Sequence, residues 1–279
     1  MSGDEENVRL QRRLEREKKA RLEAEAIAED AASKLYGTVA ALEQSNKALE
    51  HFAFIASHDL QEPLRKVTAF GSRLQEGYRG VLDERGRDYL ARMVGAAARM
   101  RVLIDDLLAY SRITTKGNPF QEVDLGRVAQ EVLGDLETRL QATQAKVEVG
   151  LLPTLVADPI QMRQLLQNLI GNALKYHKEG EPPAVKVTAE APSSFRVILR
   201  VADNGIGFEQ EQAERIFLPF QRLHGRDSKY EGTGIGLAIV QRIAERHGGS
   251  VRATSSPGAG ATFTVELPRA PPRGPGANP

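Results

Sequence analysis

A histidine and, much later, three boxes rich in Asn, Asp and Gly follow one another along this chain. The histidine is His58, in Ser57-His58-Asp59-Leu60-Gln61-Glu62-Pro63-Leu64-Arg65. Neutral imidazole is a nucleophile, and an ordinary pKa near 6.5 makes that form available at neutral pH. Asp59 stands beside it and can orient the ring or accept its other proton, as a base does in nucleophilic catalysis. Adjacent residues on a helix do not face each other, so Asp59 needs a suitable rotamer or help from a kink at Pro63. A lone surface histidine is ordinarily only a solvated side chain, and the boxes downstream give this one its weight.

The first box is Asn168-Leu169-Ile170-Gly171-Asn172-Ala173-Leu174-Lys175-Tyr176. Asn168, Asn172, Lys175 and Tyr176 share one helix face. Asn carbonyl oxygens suit Mg²⁺, which keeps several waters and takes few protein donors. Lys175 can place a charge near phosphate, and Tyr176 can pack beside a base. Taken alone, these residues would equally line an ordinary polar interior.

The second box is Asp203-Asn204-Gly205-Ile206-Gly207, after a strongly apolar run. A carboxylate at a strand end can accept a hydrogen bond from an adenine amino group, and Gly205 and Gly207 let the backbone come close to the ring. The same letters also mark a hairpin turn. The third box is Gly232-Thr233-Gly234-Ile235-Gly236-Leu237. Its glycines free the backbone to wrap phosphates, and a helix starting near Ile235 adds amide donors. The spacing is not that of a Rossmann fingerprint, and neither a Walker A lysine nor a His-Arg-Asp loop is present. Between the last two boxes, Ile216-Phe217-Leu218-Pro219-Phe220 and the polar run to Glu231 read as a lid, or as a surface loop anchored by two core phenylalanines. His51, His177, His224 and His247 show no metal-ligand spacing. They read as surface or packing residues, with His177 and His224 placed near the nucleotide.

These groups need a scaffold. With 279 residues and 41% hydrophobic content, the chain is long enough for two modest domains and a linker. The net charge of +1 argues against a dedicated nucleic-acid or anionic-membrane binder. The absence of cysteine excludes disulfides and thiolate metal sites. No stretch approaches the roughly 20 apolar residues of a membrane span, and the acidic start is no signal peptide, so a cytoplasmic location is expected.

Residues 5–33 are rich in Glu, Arg, Lys and Ala, with neither Gly nor Pro. They read as a solvated helix or weak coiled coil, or else as a frayed arm. From Leu35 a heptad stripe runs through Val39, Leu42, Asn46, Leu49, Ala53, Ala56, Leu60, Pro63, Val67, Phe70 and Leu74. His58 falls at position f, facing water. Pro63 should kink the helix rather than end it, since the stripe resumes in phase. Gly77 and Gly80 mark a turn. A second stripe follows at Leu90, Met93, Ala97, Met100, Ile104, Leu107 and Ser111. One αα-hairpin cannot cover both stripes, whereas two form a four-helix bundle, so a homodimer is expected. Gly117-Asn118-Pro119 reads as a linker. Beyond Phe120 the pattern mixes helices (about Leu125–Ala142, Asp158-Pro159 to His177, Ile235–His247) with strands at 147–149, 184–189, 195–201, 251–253 and 262–267. This predicts an α+β sandwich. The expected division is 1–33 helical segment, 34–115 hairpin, 116–119 linker, 120–268 α/β-sandwich domain and 269–279 disordered Pro/Gly tail.

In these residues the chain resembles bacterial two-component sensor histidine kinases. His58 to Leu64 resembles their H box, of the phytochrome-like branch, and Asn168–Tyr176 their N box. Asp203–Gly207, Phe217–Phe220 and Gly232–Leu237 resemble their G1, F and G2 boxes. The resemblance covers about residues 34–268. It implies a dimeric phosphoacceptor hairpin and a Bergerat-type ATP-binding sandwich that uses Mg-ATP. It also implies transfer of the phosphoryl group to an aspartate of a response-regulator receiver domain. His58 would be the phosphoacceptor and Asp59 its helper. Asn172 and Asn168 would serve the metal. The nucleotide would be held by Asn168, Asn172, Lys175, Tyr176, Asp203, Gly205, Gly207, Phe217, Phe220, Gly232, Thr233, Gly234, Gly236, Leu237 and Thr262. Many relatives carry Thr or Asn four residues after the histidine; Glu62 stands here, which weighs against phosphatase activity. No sensor domain precedes the helical start, so the signal would come from an input module outside this sequence or from a separate sensor protein docking on that helix. The competing expectations are a dimeric phosphotransfer or scaffold protein with a nonfunctional nucleotide fold, and another member of the same ATPase superfamily.

Overall fold

The structure, a computed structural model, describes residues 2–115, 117–223, 230 and 232–270. For residues 2–14, 20, 23, 27, 42, 43, 46, 47, 49–56, 58, 114 and 115 it describes the backbone alone. The chain divides into two units, Met1–Phe52 and Ala53–Pro279.

The first unit is helical throughout its described residues, as the Glu/Arg/Lys/Ala composition favours. It belongs to α1 (Ser2–Gly77). Arg21–Glu25 at 2.8 Å and Lys34–Asp30 at 2.7 Å are exposed i,i+4 ion pairs, each adding a few tenths of a kcal/mol at most. Leu35 and Val39, the first members of the heptad stripe, are exposed. The side chain of Asn46 lies outside the described residues.

The second unit opens with the rest of α1, which runs through Pro63 without ending, and with α2 (Glu84–Thr115). Gly71 brings the two helices close: a Cβ there would fall 2.3 Å from Val94 Cγ2. The turn after Gly77 is closed by Asp83, whose Oδ1 accepts from Gly86 N at 2.7 Å and caps α2. Leu90, Ala97 and Ile104 are buried, while Met93 and Met100 of the same stripe are exposed, as are Val67, Phe70 and Leu74 of α1. The hairpin thus covers only part of its own apolar surface.

The α/β portion starts with β1 (Gln121–Asp124), α3 (Leu125–Asp135) and α4 (Glu137–Thr143). The single helix expected over 125–142 is broken at Leu136 (φ −94°, ψ 4°), just after Gly134-Asp135, two weak helix formers. Next come β2 (Lys146–Val149), β3 (Thr154–Ala157) and α5 (Pro159–Lys175). Asp158 caps α5 through Ile160 N and Gln161 N, with Pro159 in the first turn. Then follow β4 (Ala184–Ser193), β5 (Arg196–Asp203), two short 3₁₀ turns, α6 (Gly236–Arg246), β6 (Ser250–Ser255) and β7 (Ala261–Pro268).

Five strands form one mixed sheet in the order β2-β4-β5-β7-β6, parallel only between β2 and β4. β1 and β3 make a separate antiparallel pair that the sequence pattern did not reveal. Strand alternation decides the layers. Val185, Val187, Val197, Leu199, Val201, Phe263 and Val265 are buried, with the apolar faces of α5 and α6, in one core. Charged partners such as Arg252–Glu266 and Arg200–Glu190 occupy the alternate positions. Burying each large apolar side chain is worth roughly 1.5–3 kcal/mol. Ile113, near the end of α2, is buried in that same core, so the hairpin is anchored to the sandwich by its last turn.

Candidate nucleotide site

The boxes are far apart in sequence and meet because α5 lies between them. Its C-terminal end carries Asn168, Asn172, Lys175 and Tyr176 on one face. Ile206 N donates to Tyr176 O at 2.9 Å, tying the segment after β5 to the end of α5. Gly207 has φ +62°, and a Cβ there would strike Ser256 O, so only glycine fits. On the other side, Gly232 and Gly236 pack so closely that a Cβ would fall 2.4 Å from Lys175 Nζ and 2.7 Å from Asn168 Oδ1.

Two connected cavities result. The first is lined by Asp203, Tyr176, Ile206, Phe208, Ile216, Leu223, Leu237 and Phe263, among others. Among the described residues it is an apolar slot with one carboxylate. Asp203 Oδ1 accepts from Gly205 N (2.8 Å) and Ala261 N (3.2 Å), which leaves Oδ2 to accept from a ligand. Burial raises the Asp203 pKa, and the two amide bonds partly oppose this. The second cavity is lined by Asn168, Lys175, Gly232, Thr233, Gly234 and Gly236, with Arg139, Val102 and Asp106. Asn172, Tyr176, Ile216, Gln221 and Leu237 belong to both. A planar apolar group with a donor edge suits the first, and an anion suits the second. Over Tyr176 lies Tyr230, ring centroids 5.3 Å apart, with its hydroxyl donating to His177 O and its carbonyl accepting from Arg222. Burial also raises the Tyr176 pKa, opposed by the Arg222 charge.

Comparison with known proteins decides the family. The model for the "Histidine kinase-, DNA gyrase B-, and HSP90-like ATPase" matches residues 157–271, and that for the "His Kinase A (phospho-acceptor) domain" matches residues 48–116. The chain belongs to the histidine kinases. Its ATPase domain implies ATP binding. Among its relatives are the phytochrome-like protein Cph1 of Synechocystis sp. (41% identical over 227 residues, 81% of this chain and 30% of Cph1) and cyanobacterial phytochrome A of Nostoc sp. (41%, covering 81% and 29%). The chain therefore spans about 30% of the length of these relatives. Among solved structures it is similar to full-length ShkA in complex with AMPPNP (TM-score 0.62, 28% identity, covering 80% of this chain and 46% of ShkA).

Several residues expected at the nucleotide site do not line the two cavities. Thr262 does not line the cavity. Its neighbours Ala261 and Phe263 do, and strand alternation turns Thr262 to the opposite face of the sheet. Phe217 is buried edge-on against Phe263, 6.5 Å between centroids, and Phe220, with φ +64°, is exposed; Ile216 and Gln221 line the cavity from that segment. Phe220 N nevertheless bonds Gly234 O, joining the two boxes. Asp59 is exposed on α1. The His58 ring lies outside the described residues, as do residues 224–229 and 231 of the expected lid and the 271–279 part of the tail. Sequence patterns missed Asp106, Arg139, Arg222 and Tyr230, which belong to no box. His247, read as a packing or surface residue, is buried and packs against Phe120.

Proposed function

We propose that the chain phosphorylates its own His58 with ATP and passes the phosphoryl group to an aspartate of a response-regulator receiver domain. The observation that carries this reading is the pair of joined cavities. The Asp203 carboxylate stands in one, the Gly232–Gly236 loop in the other, and Asn172 lies between them, within the folded unit that also contains the His58 helix turn.

Each residue then has a task. Asp203 accepts from the adenine amino group, and Tyr176, Phe208 and Leu237 exclude water from the ring. Lys175 and the amides at the start of α6 receive the phosphates. Asn172 and Asn168 offer carbonyl oxygens that fit Mg²⁺, an ion needing few protein donors; when bound it neutralises charge on the triphosphate. The His58 ring nitrogen attacks the terminal phosphorus, the bond to the bridging oxygen breaks, and ADP leaves. Asp59 orients the ring or takes its other proton. Catalysis is mainly positioning.

The uncovered apolar residues Val67, Phe70, Leu74, Met93 and Met100 support a homodimer in which two hairpins form a four-helix bundle. In this reading residues 34–115 form the dimerising phosphoacceptor domain and 120–268 the ATP-binding domain. Leu22, Leu35 and Tyr36, exposed on α1, support reception of a signal by the N-terminal part of that helix. No helix among the described residues is long and apolar enough to cross a membrane; we place the protein in the cytoplasm.

Incubation with labelled Mg-ATP tests the reading. Acid-labile, base-stable label should appear on the wild type and vanish in His58→Gln. Label that persists in that variant sinks the assignment of His58, and a chain that binds no ATP is a scaffold.

A further inference from the structure

Two residues of the hairpin, Val102 and Asp106, line the phosphate cavity, and of these only Asp106 brings a polar side chain to it. Asp106, on α2, accepts the Thr233 hydroxyl at Oδ2, 2.5 Å away and 127 residues along the chain. Thr233 stands between Gly232 and Gly234, in the loop read above as the phosphate loop, and Ile235 N donates to its oxygen at 3.3 Å. Asp106 lines the same cavity as Asn168, Lys175 and Thr233. Its neighbour Asp105 accepts Gln61 Nε2 at 2.7 Å, and Gln61 is one helical turn beyond His58. Two adjacent carboxylates of α2 therefore hold the two partners of the transfer, the phosphate loop and the H-box turn.

A threonine hydroxyl has one proton to donate. In this structure it goes to a carboxylate. A phosphate oxygen drawn to the loop needs that proton and meets a negative charge in its place. Asp106 is itself poorly solvated: burial raises its pKa, the Thr233 bond opposes this, and the Asp105 charge adds to the rise. The carboxylate thus leans on Thr233 in place of water.

We propose that Asp106 is a nucleotide-displaced latch: its contact with Thr233 holds the ATP-binding lobe on the hairpin when the cavity is empty, and an entering triphosphate takes over the hydroxyl and releases the lobe toward His58. This rests on the nucleotide reading of the cavity. The coupling is reciprocal, so what the triphosphate does to the latch, the latch does to triphosphate affinity.

The test uses the full chain as wild type, Asp106→Asn, Asp106→Ala and Asp105→Asn, titrated calorimetrically with Mg-AMPPNP and Mg-ADP. Both Asp106 variants should bind AMPPNP roughly fivefold or more tightly than wild type, with a smaller change for ADP. Asp105→Asn should stay at wild-type affinity. In nucleotide-free protein, the amides of Thr233 to Ile235 should exchange hydrogen faster in Asp106→Ala. Unchanged or weaker AMPPNP binding in both Asp106 variants overturns the latch, as does equal tightening in Asp105→Asn, which would mark a general field of α2. Unchanged loop exchange in Asp106→Ala also overturns it. A wild type that binds neither nucleotide removes the nucleotide reading itself, an outcome separate from failure of the latch alone.

Discussion

His247 accepts the backbone N–H of Asp158 through Nε2 at 3.1 Å, while its Nδ1 lies 2.8 Å from Ile243 O. The ring is buried, and these partners require the neutral tautomer with the proton on Nδ1. The same Asp158 carboxylate accepts from Asn118 N, Ile160 N, Gln161 N and Arg246 Nη1. Gln161 in turn donates to Ile113 O. This cluster clamps the exit of α2 and the linker onto the sandwich.

The His247 pKa is lowered, first by burial; the Ile243 carbonyl and Asp158 oppose the shift and Arg246 adds to it. The unfolded chain then binds a proton that the native chain refuses. Stability should be full above about pH 6.5 and fall as the pH drops from there through the lowered value. Urea midpoints at pH 7.5 and 5.5 check this. In His247→Gln the drop between the two should shrink; an undiminished drop would assign it to other groups.

Arg246 is 17% exposed and its partner Asp158 0%. Arg246→Met leaves a buried carboxylate without its cation, which costs about 3–5 kcal/mol for pairs of this kind. The lower end is expected, because three backbone amides still bind Asp158. Denaturant unfolding measures the loss; less than about 1 kcal/mol would show the pair to be unimportant.

Asp203 has a raised pKa, so the native state holds its proton more tightly than the unfolded chain does. That stabilisation is full below the unfolded value and is lost as pH rises through the raised one. At neutral pH the ionised group therefore costs stability. Asp203→Asn keeps an acceptor for Gly205 N and Ala261 N. Its Tm should rise while ATP affinity falls roughly tenfold to a hundredfold, the scale of one charged hydrogen bond. Tm and ATP binding moving down together would mean simple unfolding of the site.

Arg139, on α4, lines the second cavity together with Lys175 and Thr233. Arg139→Ala should weaken ATP roughly tenfold and ADP much less, if its guanidinium reaches the terminal phosphate. Equal losses for the two nucleotides would restrict it to a general electrostatic role.

Phe70 is 60% exposed on the apolar side of α1. Burial of such a ring is worth roughly 1.5–3 kcal/mol, and a two-fold dimer would bury it twice. Phe70→Glu should shift sedimentation toward monomer at concentrations where the wild type is dimeric. A variant as dimeric as wild type would move the interface elsewhere.

Patterns carried by neighbours along the chain were legible without coordinates. The heptads predicted α1 and α2, Asp158-Pro159 announced α5, and the glycines of 205–207 and 232–236 stand where backbone must approach closely. These are local consequences of residue type, spacing and φ preference. The β1–β3 pair and the burial of Ile113 depend on long-range packing. So does the turn of Thr262 away from a cavity that Ala261 and Phe263 line: a strand sends alternate side chains to opposite faces, and its neighbours choose which face is inside. Asp106 and Thr233, 127 residues apart, meet only because the last turn of α2 is built into the core of the sandwich. Sequence alone thus determined which chemical groups the chain owns and the elements that bear them. Tertiary packing decided which of them face one cavity, because that depends on the orientation of whole elements.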